Sequence, residues 1–265
     1  MAAWTPSQIT TAVWHQADAI TGLNDADPIG TWVDSSGNGL SATAAAAARP
    51  TYKTSILNSL PVARFSSNGM DAQFNFAAVN HFSVAFVATP TSSLLFQSVV
   101  RQQHPTNADY FTQWQDGAGA ERIISSWDGG TTGENLGWTS GSTLITYVRE
   151  KNVARTAWRD GTQSGTNVAS NTNLAGVDAT NAGIGFRRAH ATPEYFGGDI
   201  AEIIIAYTNW DTATRQKVEG YLAWKWGLQA NLPGAHPYAG FAPTVGNRSG
   251  LRYPIGSGLR QRGLR

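Results

Sequence analysis

The chain has 265 residues, 41% of them hydrophobic, enough for one large domain or two small ones, and a protein of this mass hides roughly 70% of its unfolded surface. Only 14% are charged, and 19 Lys and Arg stand against 18 Asp and Glu, which argues against a nucleic-acid binder built on a general basic field. Cysteine is absent, which removes disulfide scaffolds, Cys-ligated zinc and thiol catalysis; no run approaches the ~20 apolar residues of a membrane helix, so no membrane partner is expected.

The opening, MAAWTPSQITTAVWHQADAIT, has neither a charged n-region nor an apolar h-region, so a product made in the cytoplasm without a secretory signal is expected. Asp34–Gly39 combines a backbone-bonding carboxylate with glycines and predicts a tight turn. Strands are predicted at 82–89, 94–100, 110–115, 143–149 and 153–159, each rich in β-branched or aromatic residues and bounded by polar, Gly or Pro positions. In 143–149, Leu144, Thr146 and Val148 share one face, and Ile145, Tyr147 and Arg149 the other. Glu150-Lys151-Asn152 closes a hairpin, and Asp160-Gly161 gives the next turn. Residues 200–207 are a strand-sized apolar run. Residues 211–226 carry Val218, Tyr221, Leu222 and Trp226 at helical spacing, with Asp211 as cap and Gly227 as terminator. Gly220 inside that helix costs roughly 1 kcal/mol, which implies close packing there. Many short strands with one late helix predict an all-β fold, a β-sandwich or jelly roll with the helix on its edge.

Residues 246–265 differ from the rest. They hold Arg248, Arg252, Arg260, Arg262 and Arg265 and no acid, repeat Gly-Leu-Arg, and leave residues 1–245 with a net charge of −4. Two readings stand: a solvated tail, or a docking strap that orders on an acidic partner or a neighbouring subunit. The predicted organisation is a sandwich domain at 1–245 followed by this basic stretch.

Little in the chain suggests catalysis. Glycosidases need two carboxylates about 5–5.5 Å apart when retaining. The nearest candidates, Asp199 and Glu202, fall on opposite faces of a regular strand, and Gly197 stands two residues before Asp199. The histidines at 15, 81, 104, 190 and 236 are scattered, and no nucleophile elbow or phosphate loop occurs. The densest binding candidate is 110–138: Tyr110, Trp114, Gln115 and Asp116, then Trp127 and Asp128, then Glu134, Asn135 and Trp138. Aromatic faces with neighbouring carboxylates and amides suit a sugar, and the same tryptophans also suit a core.

Three segments together resemble the concanavalin A-like lectin/glucanase superfamily, in its LamG-like jelly-roll branch found in bacterial surface proteins and tailed-phage virion proteins. They are Trp14 to Asp18 with Trp32-Val33-Asp34-Ser35-Ser36-Gly37-Asn38-Gly39; Ala48 to Tyr52 with Asn58, Leu60 to Val62, Arg64 and Phe65; and Gly198 to Ile203 with Glu219 to Gly227, Leu232-Pro233 and His236-Pro237-Tyr238. The match brackets 4–240, although 90–190 agrees only in strand rhythm, and His15-Gln16 stand where the branch usually has Leu-Asp. The resemblance implies a concanavalin A-like sandwich in which these residues serve the fold, Arg64 pairing with Glu202 and Trp224 and Trp226 packing core and rim. Calcium is the cofactor it suggests, with Asp34 and Asn38, or Asp128 with Glu134 and Asn135, as ligand candidates.

The expected function is a non-enzymatic structural protein on a tailed-phage virion, on capsid or tail. It would be attached to virion proteins or sister subunits through the five arginines, and would bind host surface glycans through Trp114, Asp116, Trp127, Asp128, Asn135 and Trp138. A soluble carbohydrate-binding adhesin and a divergent polysaccharide hydrolase or lyase are the alternatives.

Overall fold

Runs of β-branched and aromatic residues give the strands. The computed structural model describes residues 2–76, 79–91, 98–103, 109–115, 121–124, 134–135, 141–150, 154–168, 182–187 and 194–246. In chain order the strands are β1 (Val13–Gln16), β2 (Thr31–Trp32), β3 (Ala42–Thr43), β4 (Thr51–Leu57), β5 (Leu60–Phe65), β6 (Met70–Ala72), β7 (His81–Pro90), β8 (Val100–Gln103), β9 (Asp109–Gln115), β10 (Glu121–Ile124), β11 (Glu134–Asn135), β12 (Thr143–Glu150), β13 (Ala154–Arg159), β14 (Thr162–Val168), β15 (Ala182–Ile184), β16 (Phe186–Arg187), β17 (Glu194–Tyr195) and β18 (Gly198–Ala206); the helix is α1 (Thr212–Trp226). The strand predicted at 94–100 lies mostly outside the described residues, and β8 begins at its last residue.

Among the described residues the strands form two antiparallel sheets and a short β16–β17 pair. The back sheet runs β14-β13-β12-β7-β18-β5-β4, with β1 also on β18; the front sheet runs β11-β10-β9-β8-β15-β6-β3-β2. Their facing sides enclose the main core: Val13, Phe65, Phe82, Val84, Phe86, Ile145, Tyr147, Ile203 and Ile205 from the back sheet meet Trp32, Met70, Val100 and Ile184 from the front. The alternation read in 143–149 is real, with Ile145 and Tyr147 in this core and Leu144 and Val148 on the other side.

That other side carries a second core. Trp14, Val62, Ala85, Val87, Leu144, Ile204 and Ala206 pack against Val218, Leu222, Ala223 and Trp226 of α1. β18 is therefore buried on both faces along its whole length, which is why 200–207 lacks alternation. Asp211 caps α1 by accepting from the Thr214 N–H at 2.7 Å, and Gly227 ends it at φ +76°. Residues 228–246 then cross the helix's outer side: the Trp224 Nε1–H donates to the Tyr238 carbonyl at 2.8 Å. The Tyr238 side chain presses on Gly220 so closely that a Cβ there would lie 2.6 Å from the Tyr238 Cβ and 2.7 Å from its ring. This wrap closes on residues 2–4, with Trp4 N–H donating to Pro243 O at 3.0 Å and Val245 N–H to Ala2 O at 2.9 Å.

Candidate functional site

The β9–β11 edge of the front sheet brings part of the sequence-derived sugar cluster together. Trp114 on β9 is the cross-strand partner of Arg122 on β10, and Arg122 is in turn the partner of Asn135 on β11. Trp114, Arg122 and Asn135 thus stand in one row across three neighbouring strands. Tyr110 and Gln115 lie on the same strand as Trp114, and Glu134 opposes Ile123. Asp116, Trp127, Asp128 and Trp138 lie outside the described residues, as do Arg248, Arg252, Arg260, Arg262 and Arg265. Arg122 was not singled out from the sequence, because only the pairing of β10 with both neighbours puts it beside Trp114.

The Asp34 turn is a backbone staple. Asp34 Oδ1 accepts from the N–H groups of Trp14 and Ser36, each at 2.9 Å, and Oδ2 accepts from the Ser36 hydroxyl at 2.7 Å and the Leu40 N–H at 3.1 Å. Burial acts to raise this carboxyl's pKa, but those donors outweigh it and hold it below the ordinary carboxylate range. The Asn38 amide donates to the carbonyls of Thr11 and Ala12 at 2.8 and 3.0 Å. Asp34 and Asn38 therefore serve the turn that ties β1 to the following loop, with both Asp34 oxygens taken by protein donors. Among the described residues, no group of three or more His, Cys, Asp or Glu is placed to hold a metal ion. Beside the turn, His15 is fully buried against Trp32. Desolvation lowers its pKa to about 4, against the pull of the Val33 carbonyl and of Asp34.

The acids on β18 depart from the expected strand geometry. The ladder between β18 and β7 slips between Ile200 and Glu202. Across this bulge Ile200 faces the main core, Ala201 faces the helix, and Glu202 also points to the helix side, where it meets Trp226. The expected Arg64–Glu202 ion pair does not form. Arg64 on β5 is the register partner of Asp199, and its guanidinium grips that carboxylate with both prongs, Nε at 2.7 Å and Nη2 at 2.8 Å. Glu202 is instead wholly buried under α1. It accepts from Trp14 Nε1 at 2.6 Å and Trp226 Nε1 at 2.8 Å, and pairs with Lys225 at 2.8 Å. Burial raises the Glu202 pKa, opposed by Lys225 and the two indoles. Lys225 also reaches Asp18 at 2.8 Å and the Gln16 side chain at 2.9 Å. A second buried knot ties the far end of the helix: Arg215 donates to both Glu219 oxygens at 2.6 Å, His236 meets Glu219 at 3.1 Å, and Arg215 lies 4.1 Å over the Trp158 ring. Both acids once weighed as a catalytic pair are thus held by cations and indoles.

One groove, of about 380 Å³, opens where β5 and β7 end and β18 begins. Arg64, Ser66, Ser67, Thr91, Tyr195 and Gly197 line it, and the Thr91 N–H donates to the Gly197 carbonyl at 2.9 Å. Tyr195 stacks on Phe186, centroids 6.4 Å apart and planes within 19°. Phe186 in turn lies on Gly69 and Gly183, where any Cβ would press into its ring. No local sequence pattern marks this wall: Gly69 and Gly183 meet at one phenylalanine only through the antiparallel pairing of β15 with β6.

No family model matches the chain, and no curated protein sequence matches it. Solved structures do. The chain is similar to the sialidase of Trypanosoma rangeli at a TM-score of 0.56 and 11% identity, over 82% of this chain and 33% of that one. It is also similar to the receptor binding domain of botulinum neurotoxin mosaic serotype C/D, at a TM-score of 0.55 and 11% identity, over 77% of this chain and 49% of that one. The shared feature is the fold. It is an all-β sandwich of two antiparallel sheets with one helix.

Proposed function

We propose that this chain is a non-catalytic, glycan-binding sandwich displayed on the virion of a tailed bacteriophage, on capsid or tail. The observation that carries the glycan reading is the row of Trp114, Arg122 and Asn135 at the edge of a lectin-type sandwich. An aromatic ring, a guanidinium and an amide are the groups that read a sugar's apolar face and its hydroxyls. Similarity of fold to a sialidase and to a toxin's receptor binding domain is in keeping with it. The non-catalytic reading rests on Asp199 and Glu202, each bound by a cation rather than poised for proton transfer. The virion placement rests on the LamG-like resemblance and on the arginine-rich stretch. That stretch follows Val245, which is bonded to Ala2 next to Trp4 of the helix-side core, away from the front sheet.

Glycan-array binding by the full chain, weakened about tenfold or more by Trp114→Ala, is the expected result for the first part. Mass spectrometry of density-purified phage particles tests the second: the chain should be present, and its absence from particles would overturn the virion assignment while leaving glycan binding standing.

A further inference from the structure

We infer that the Arg64–Tyr195 groove is a second saccharide site, selective for a sugar that carries a carboxylate, such as a uronic acid residue. It deepens the glycan-binding reading and rests on it, but uses residues outside the Trp114 row.

The argument is one of donors against acceptors. A guanidinium has five N–H groups. Asp199 takes the Nε edge of Arg64, which leaves the hydrogens of Nη1 and the second hydrogen of Nη2 as a free fork, on a side chain 41% exposed at the groove wall. Such a fork matches a carboxylate with two parallel hydrogen bonds. The hydroxyls of Ser66, Ser67 and Thr91, which can donate or accept, line the same groove. The carboxylate that Arg64 grips, Asp199, is 4% exposed and already engaged through both oxygens. A neutral sugar needs acceptors for its own hydroxyl protons as much as it needs donors. A groove whose one charged wall is a donor-only guanidinium fork, and whose adjacent acid is closed off, therefore favours the ligand that brings a carboxylate.

The walls are also set in advance. Asp199 fixes the plane of Arg64, and Phe186, seated on Gly69 and Gly183, fixes the Tyr195 ring that a sugar would lie against. Little side-chain freedom is lost when the ligand arrives. The volume, about 380 Å³, is at the lower end of ligand pockets and suits a single sugar ring.

The test compares methyl β-D-glucuronide with methyl β-D-glucoside, which differ at the carboxylate, by titration of the full chain followed by NMR. The glucuronide should bind about tenfold more tightly. Arg64→Lys keeps a cation opposite Asp199 but has no second fork, and should abolish the preference. Thr91→Val, at an exposed position that keeps its backbone bond to Gly197, should weaken the glucuronide about threefold and serves if Arg64→Lys does not fold. Equal affinity for the two glycosides, a preference that survives Arg64→Lys, or, where Thr91→Val is the variant tested, glucuronide affinity that does not fall, overturns this inference. Neutral oligosaccharides in the same series separate the two failures: if they bind, the glycan reading survives the loss of this site, and if no saccharide binds, both fall.

Discussion

Glu202 concentrates the energetics of the helix-side core in one carboxylate. It has no exposed surface, yet it accepts two indole N–H groups and pairs with Lys225. Removing one member of a buried ionic cluster leaves the others uncompensated, which typically costs about 3–5 kcal/mol. Glu202→Ala should therefore lower stability by about that amount in urea denaturation, and Glu202→Gln, which preserves volume and one acceptor, by less. His15 gives a pH signature. Its folded pKa is lowered to about 4 from 6.5, so the folded state binds fewer protons than the unfolded state between those values. Its contribution is fully present above pH 6.5 and is lost as pH falls toward 4, about 3 kcal/mol in all. Urea midpoints across this window should fall more steeply for the wild type than for His15→Gln.

At the scale of elements, the helix shows how a local rule is overridden by packing. Gly→Ala in a helix interior ordinarily stabilises by about 1 kcal/mol. At Gly220 the Tyr238 ring occupies the space a methyl would need, so Gly220→Ala should destabilise, by about 1–3 kcal/mol in thermal or urea unfolding. Asp211, Gly220 and Gly227 were legible in the sequence because caps and breakers act within a few residues of where they stand. The β18 acids were not. Parity along a strand puts Asp199 and Glu202 on opposite faces, and only the bulge between Ile200 and Glu202, set by pairing with the distant β7, turns Glu202 toward Trp226. For the same reason the partner of Arg64 was read as Glu202 rather than Asp199: the choice depends on the β5–β18 register, which no local pattern encodes. Trp114 and Asn135 could be picked out by residue type, whereas Arg122 between them needed the pairing of three strands.

The whole molecule is layered: front sheet, back sheet, helix, and the 228–246 wrap that closes on residues 2–4. On the proposed function this order would separate two tasks. The front sheet carries the Trp114 row, while Val245, just before the arginine-rich stretch, is bonded to Ala2 next to Trp4 of the helix-side core. Truncation after Gly246 keeps the Val245–Ala2 bond, so the unfolding midpoint should be unchanged. Attachment to particles or to sister subunits should be lost, and in the full chain it should weaken with salt because salt screens attraction between arginines and an acidic partner. Normal incorporation of the truncated chain would remove the arginines from that role.

The most direct test of the central claim is saturation-transfer NMR of the full chain with a panel of neutral and acidic oligosaccharides, each tube followed over time for new reducing-end signals. The expected result is transfer to at least one saccharide with no reducing-end signal appearing. Absence of transfer to every saccharide would contradict glycan binding, and growth of reducing-end signals would contradict a non-catalytic sandwich.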